Sequence, residues 1–267
     1  MIEMFSHPFM IRALLVGLMI SVCAALVGVS LVLRKNSMIG DGLSHTAFSA
    51  FALATVLGLT PLYFALPIVV IASFFVLRLS QNRKLHGDAA IAVLSASSLA
   101  IGTLAISLSK GVNIDLNSYL FGSILAVGWL DVVLSIILTL LIIALYVFTY
   151  HRIFAITFDE EFAKSVGIKT GVYDAIFAAI CSVVVVLGMR LLGALLISSL
   201  IIFPTLSAMR LKRSFRGIVW LSALISVIAF IVGLVLSYLL ATPTGATVVI
   251  VNLIVFVISV LLQKILD

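Results

Sequence analysis

The chain reads as a succession of apolar runs, each near 20 residues, separated by short clusters of polar and charged residues. At 1.5 Å of rise per helical residue, a run of that length matches the roughly 30 Å hydrocarbon core of a bilayer. The runs lie near 11–33, 43–60, 62–79, 89–108, 128–149, 172–189, 191–209, 217–240 and 245–263. Each predicts a membrane-crossing helix, since backbone hydrogen bonds must be satisfied internally where no water is present. Pro61 and Pro67 fall at or in the third run, and Arg190 alone separates the sixth from the seventh, so the pattern predicts eight or nine spans. The expected architecture is an all-α polytopic transmembrane bundle, a single domain over residues 1–267.

Composition agrees and sharpens the picture. Apolar residues make up 64% of the chain and charged residues 10%, with a mean hydropathy of +1.37, values that no water-soluble domain combines. The net charge of +6 points to topology rather than to nucleic acid. In the nine-span arrangement, thirteen of the sixteen lysines and arginines fall on one side, and only Arg12, Lys110 and Arg190 on the other. The positive-inside bias therefore places the C-terminus and the 151–171 connection in the cytoplasm of a multi-pass protein of the cell (inner) membrane. The first run ends in Arg34-Lys35 with no basic stretch before it, as a retained span rather than a cleaved signal would. Cys23 and Cys181 stand alone in apolar runs and read as small buried hydrophobes.

Two stretches interrupt the pattern. Residues 110–127 carry Asp115, Asn117 and Gly122 on the outer side, which predicts a re-entrant or interfacial helix. Residues 151–171 form the longest cytoplasmic connection. Here Thr157 is a candidate N-cap, Asp159, Glu160 and Glu161 fill a first helical turn, and Gly167 ends the helix. An acidic turn suits a protein partner better than anionic lipid, and Phe158 and Phe162 supply a small apolar face, so docking and a plain surface connector both fit.

Charged groups within spans are costly and therefore informative. Asp41 and His45, four apart in GDGLSHTAFSAFALA, share one helical face. Two readings fit them: together they hold one divalent ion, or Asp41 caps the helix and His45 hydrogen-bonds to it. Two ligands fall short of the four of a structural zinc site, whereas two copies in a symmetric dimer would supply four. His86 and Asp88 mark another cytoplasmic helix start, Asp88 as a cap. His7 and His151 read as interfacial residues, and Asp131 and Asp174 as span-end carboxylates near water or a basic neighbour. Pro204 predicts a kink. No GxxxxGK[ST] phosphate cradle occurs, so ATP-driven work would need a separate subunit.

Six ordered segments carry a resemblance: LVLRKNSMIGDGLSHTAFSAFALA at 31–54, GDAAIAVLSASSLAIGTLAISL at 87–108, DLNSYLFGSILAV at 115–127, ITFDEEFAKSVGI at 156–168, LLGALLISSLIIFPTLSAMRL at 191–211 and TPTGATVVI at 242–250. Through them the chain resembles the metal-ion ABC-3 permeases, membrane subunits of bacterial zinc, manganese and iron importers. The resemblance implies a homodimeric pore, a cytoplasmic ATP-binding subunit and an extracytoplasmic metal-binding receptor. It also implies zinc, manganese or iron as the transported ion, zinc first, with no permanently bound cofactor. Asp41 and His45 would line the metal pathway, and Phe158, Asp159, Glu161, Ala163 and Gly167 would form a coupling helix seated in the ATP-binding subunit. Many relatives continue the histidine motif with Pro-Gly or Ala-Gly, where this chain has Phe48-Ser49-Ala50-Phe51. Two alternatives are a metal-chelate permease of related architecture, and a secondary transporter using Asp41 and His45 as a proton relay.

Overall fold

A computed structural model describes residues 8–80, 87–109, 116–122 and 127–266, and their regular structure is entirely helical. In chain order the helices are α1 (Pro8–Leu33), α2 (Ile39–Val56), α3 (Pro61–Ser80), α4 (Gly87–Leu108), α5 (Leu116–Phe121), α6 (Trp129–Phe158), α7 (Glu160–Ser165), α8 (Thr170–Leu192), α9 (Ala194–Leu211), α10 (Phe215–Leu240) and α11 (Thr244–Leu266). The nine predicted runs correspond to α1–α4, α6 and α8–α11. Eight of these are long and apolar enough to cross a membrane, α2 being the exception. Asp41, His45 and several Ser, Thr and Gly residues dilute its hydropathy. It is instead enclosed by α3, α4, α8 and α9.

Position in the bundle follows side-chain size and polarity more than hydropathy. In α1, 78% of the span is buried, and in α8 67%, against 22% in α4. Lipid tails are as apolar as leucine, so close packing and interhelical hydrogen bonds decide which helices sit centrally. Ser226 of α10 donates to the Ser21 carbonyl of α1 at 2.9 Å. The Ser30 hydroxyl of α1 meets that of Tyr146 in α6 at 2.7 Å, and Ser73 of α3 donates to the Ala178 carbonyl of α8 at 3.2 Å. Pro204 is accommodated inside α9.

Two features depart from the simplest reading of the sequence. Helix α6 runs 30 residues, to Phe158, about 45 Å, so its last turns rise beyond the hydrocarbon core. Thr157 therefore lies inside α6 and caps nothing; the cap of α7 is Asp159, whose carboxylate accepts from the Phe162 amide at 2.8 Å. On the outer side, α5 seats on the outer ends of α8, α9 and α11. Gly122 and Gly193 both adopt positive φ, and a Cβ on Gly193 would lie 2.4 Å from the Gly122 nitrogen. Only glycine permits that contact.

Candidate metal site and cytoplasmic docking element

Asp41 lies in the first turn of α2 and His45 one turn on. Met38 occupies the N-cap position without a side-chain cap bond, so Asp41 is not the cap. The His45 Nε2 to Asp41 Oδ2 distance is 3.6 Å, longer than a hydrogen bond. His45 Nδ1 is buried and has no hydrogen-bond partner. Two ligands, each about 2.0–2.1 Å from a tetrahedral zinc ion, stand about 3.4 Å apart. The side chains are partly open, 22% for His45 and 33% for Asp41, and border a groove of about 390 Å³ between α2 and α4. Asp88, whose sequence position had indicated a cap, lies in the first turn of α4 and lines the same groove. No group of three His, Cys, Asp or Glu residues among the described residues is close enough to hold a metal ion.

Toward the outer face, Phe48 and Phe51 are buried against Tyr119 of α5, with ring centroids 6.2 Å and 6.0 Å away. The Tyr119 and Thr55 hydroxyls are 3.4 Å apart. Phe48 and Phe51 are thus held beneath α5. Tyr119 carried no signal in the sequence, because its partners lie more than 60 residues away.

At the cytoplasmic end, Gly167, at φ +83°, closes α7 as the pattern predicts. Phe158 and Phe162 are each 57% exposed and the Glu161 side chain 86%, whereas Ala163 is buried beneath the helix. Phe158 is braced by Phe154 and Phe215. Glu160 serves the fold: Arg34, at the end of α1, lies 3.6 Å from it and 2.7 Å from Asp174 of α8. Lys164 pairs with Glu160 at 2.9 Å, and that hydrogen bond and charge hold the Lys164 ammonium above the usual lysine range. His7, His86 and Asp115 lie outside the described residues.

The sequence profile of the ABC 3 transport family matches residues 6–263. The chain belongs to that family. As a member of the ABC 3 transport family it is a multi-pass protein of the cell membrane. It is 30% identical over 247 residues to the high-affinity zinc uptake system membrane protein ZnuB of Haemophilus influenzae, covering 92% of this chain and 95% of that protein. It is also 30% identical over 254 residues to the manganese import system permease protein ScaB of Streptococcus gordonii, covering 94% and 90%. Among solved structures it is similar to PsaBC from Streptococcus pneumoniae in complex with Fab. The TM-score there is 0.83 and the identity 28%, covering 95% of this chain and 91% of that one. A likeness in fold extends to an inward-facing putative metal-chelate type ABC transporter, with a TM-score of 0.73 and 19% identity.

In this ABC 3 family chain the span-end carboxylates Asp131 and Asp174 each face an arginine. Asp131 is 2% exposed, lies 3.1 Å from Arg190 and accepts from the Gly128 amide at 2.9 Å. Asp174 is buried against Arg34. Both carboxylates have the basic neighbour that their span-end positions suggested.

Proposed function

We propose that the chain is the permease subunit of an ATP-binding-cassette importer that carries a divalent transition-metal ion into the cytoplasm, with zinc favoured and manganese or iron next. The observation that carries this reading is the Asp41–His45 pair. His45 Nε2 and Asp41 Oδ2 stand 3.6 Å apart, and the groove before them is open. An imidazole with a carboxylate suits zinc and tolerates manganese. Relatives named for zinc uptake and for manganese import support the substrate class.

One chain offers only two of these ligands, so a second copy across the groove completes the site with two more, as a twofold axis provides. The exposed phenyl rings, Asp159 and Glu161 of α7 dock into a cytoplasmic ATP-binding subunit, with Ala163 and Gly167 shaping the helix. An extracytoplasmic receptor delivers the ion. ATP-driven closure of the cytoplasmic pair moves α7, and the two permease halves rock between outward and inward arrangements. ATP hydrolysis belongs to that other subunit.

The test is metal accumulation in cells depleted of zinc and, separately, of manganese, comparing the intact chain with Asp41→Ala and His45→Ala at matched membrane levels. Loss of uptake of one metal in both variants supports the reading and names the ion. Unchanged uptake of both metals in both variants overturns it.

A further inference from the structure

A groove of about 520 Å³ opens between α1, α6 and α10. Helices α8 and α9 pack against both α1 and α2, and so separate it from the Asp41–His45 pair. Its deep part is apolar, walled by Val22, Leu26, Ile143 and Val147. Its other end is bounded by His151 and Arg216, with Trp220 one turn deeper than Arg216.

The depth of that polar end follows from helix length. Helix α6 starts at Trp129, and about 20 residues cross the hydrocarbon core, which places His151 at the cytoplasmic headgroup level. Arg216, the second residue of α10, enters the membrane at the same face. Trp220 and Tyr150, also in the lining, are the amphipathic rings found at such interfaces. No carboxylate lines the groove, and among the described residues Arg216 has no acidic partner. From Ile143 to His151 the apolar wall of α6 continues for about 12 Å.

We propose that this groove binds an anionic phospholipid of the cytoplasmic leaflet, with its phosphate against Arg216 and His151 and one acyl chain along α1 and α6. A cation without a counter-ion at headgroup depth selects an anion, and an apolar trough running from it into the core selects a chain attached to that anion. Zwitterionic headgroups fit less well, because their ammonium group meets the Arg216 guanidinium. A lipid seated there braces α6 just before it leaves the membrane toward α7. The inference stands independently of which ion the protein carries.

The chain has two tryptophans, so Trp129→Phe leaves Trp220 as the sole tryptophan, excited at wavelengths where tyrosine does not absorb. The protein is reconstituted in equal mixtures of phosphatidylglycerol and phosphatidylcholine, with bromines near the headgroup end of the acyl chains on one lipid or on the other. Expected is stronger quenching from brominated phosphatidylglycerol, corresponding to a preference of about fivefold for the one arginine engaged. Arg216→Gln abolishes the preference and Arg216→Lys keeps most of it. Equal quenching by both lipids overturns the proposal in favour of an ordinary lipid annulus. Absence of quenching by either shows the groove covered by protein and also overturns it. So does a preference that survives Arg216→Gln. The comparison between lipids uses the chain with Arg216 intact, so it stands even if Arg216→Gln folds poorly.

Discussion

Two of the pairs of a carboxylate and a nitrogen base in this bundle are built in opposite ways. Arg34 and Asp174 join α1 to α8 at 2.7 Å, with side chains 14% and 8% exposed and Glu160 as a second anion. Asp41 and His45 sit on one helix at 3.6 Å beside an open groove, with His45 Nδ1 unpartnered. The first pair neutralises and hydrogen-bonds itself, so nothing is left over for a ligand. The second leaves coordinating capacity unused. Under the proposed function, that difference separates a charge held for architecture from one held for chemistry.

The largest effect expected from breaking this contrast is on stability at the first pair. Arg34→Gln takes the guanidinium from buried Asp174 and should cost about 3–5 kcal/mol, read as a fall in the thermal midpoint of the purified protein; Asp174→Asn should cost less, because Glu160 still faces Arg34. Arg34→Met with Asp174→Leu should recover much of the loss, since two apolar groups replace the pair. At the outer side, Arg190→Gln should cost less, about 1–3 kcal/mol. Asp131 keeps its bond from the Gly128 amide, and the Arg190 side chain is already 37% exposed.

Asp41→Asn should leave the thermal midpoint within about 0.5 kcal/mol of the starting protein, while metal uptake falls about tenfold or more. A midpoint drop as large as that of Arg34→Gln would make the two pairs alike and end the distinction. The smallest effect belongs to Lys164→Gln, which should leave the midpoint unchanged, because that ammonium is fully exposed. Its folded pKa is raised by Glu160. Any stabilisation is therefore complete below the unfolded lysine pKa and lost only as pH rises through the higher folded value. Uptake should then be flat through neutral pH so far as this pair is concerned.

Much of the bundle was legible residue by residue. The apolar runs located nine helices to within a few residues at most ends, because hydrocarbon thickness and helical rise impose one length. The largest error is at α6, whose run ends near 149 while the helix continues to Phe158. Outside the hydrocarbon core the thickness rule no longer applies. The misplaced cap at Thr157 has the same origin, since a helix already running through that residue leaves no amide for it to cap. Asp41 and His45 were legible because they share one helix face, where spacing alone makes neighbours.

The linear order of residues determined what each stretch is: which segments form long apolar helices, which carboxylate and imidazole stand together, and where α7 stops at Gly167. Hydropathy, charge bias and helical spacing act over 4 to 20 residues and need no partner. Only the tertiary structure decided that Asp174 neutralises Arg34 from 140 residues away, that Tyr119 covers Phe48 and Phe51, and that Arg216 and His151 bound one groove. Those outcomes depend on how uniformly apolar helices pack against one another. Because hydrophobic burial favours no particular arrangement within lipid, small side chains, close backbone approaches and interhelical hydrogen bonds settle it.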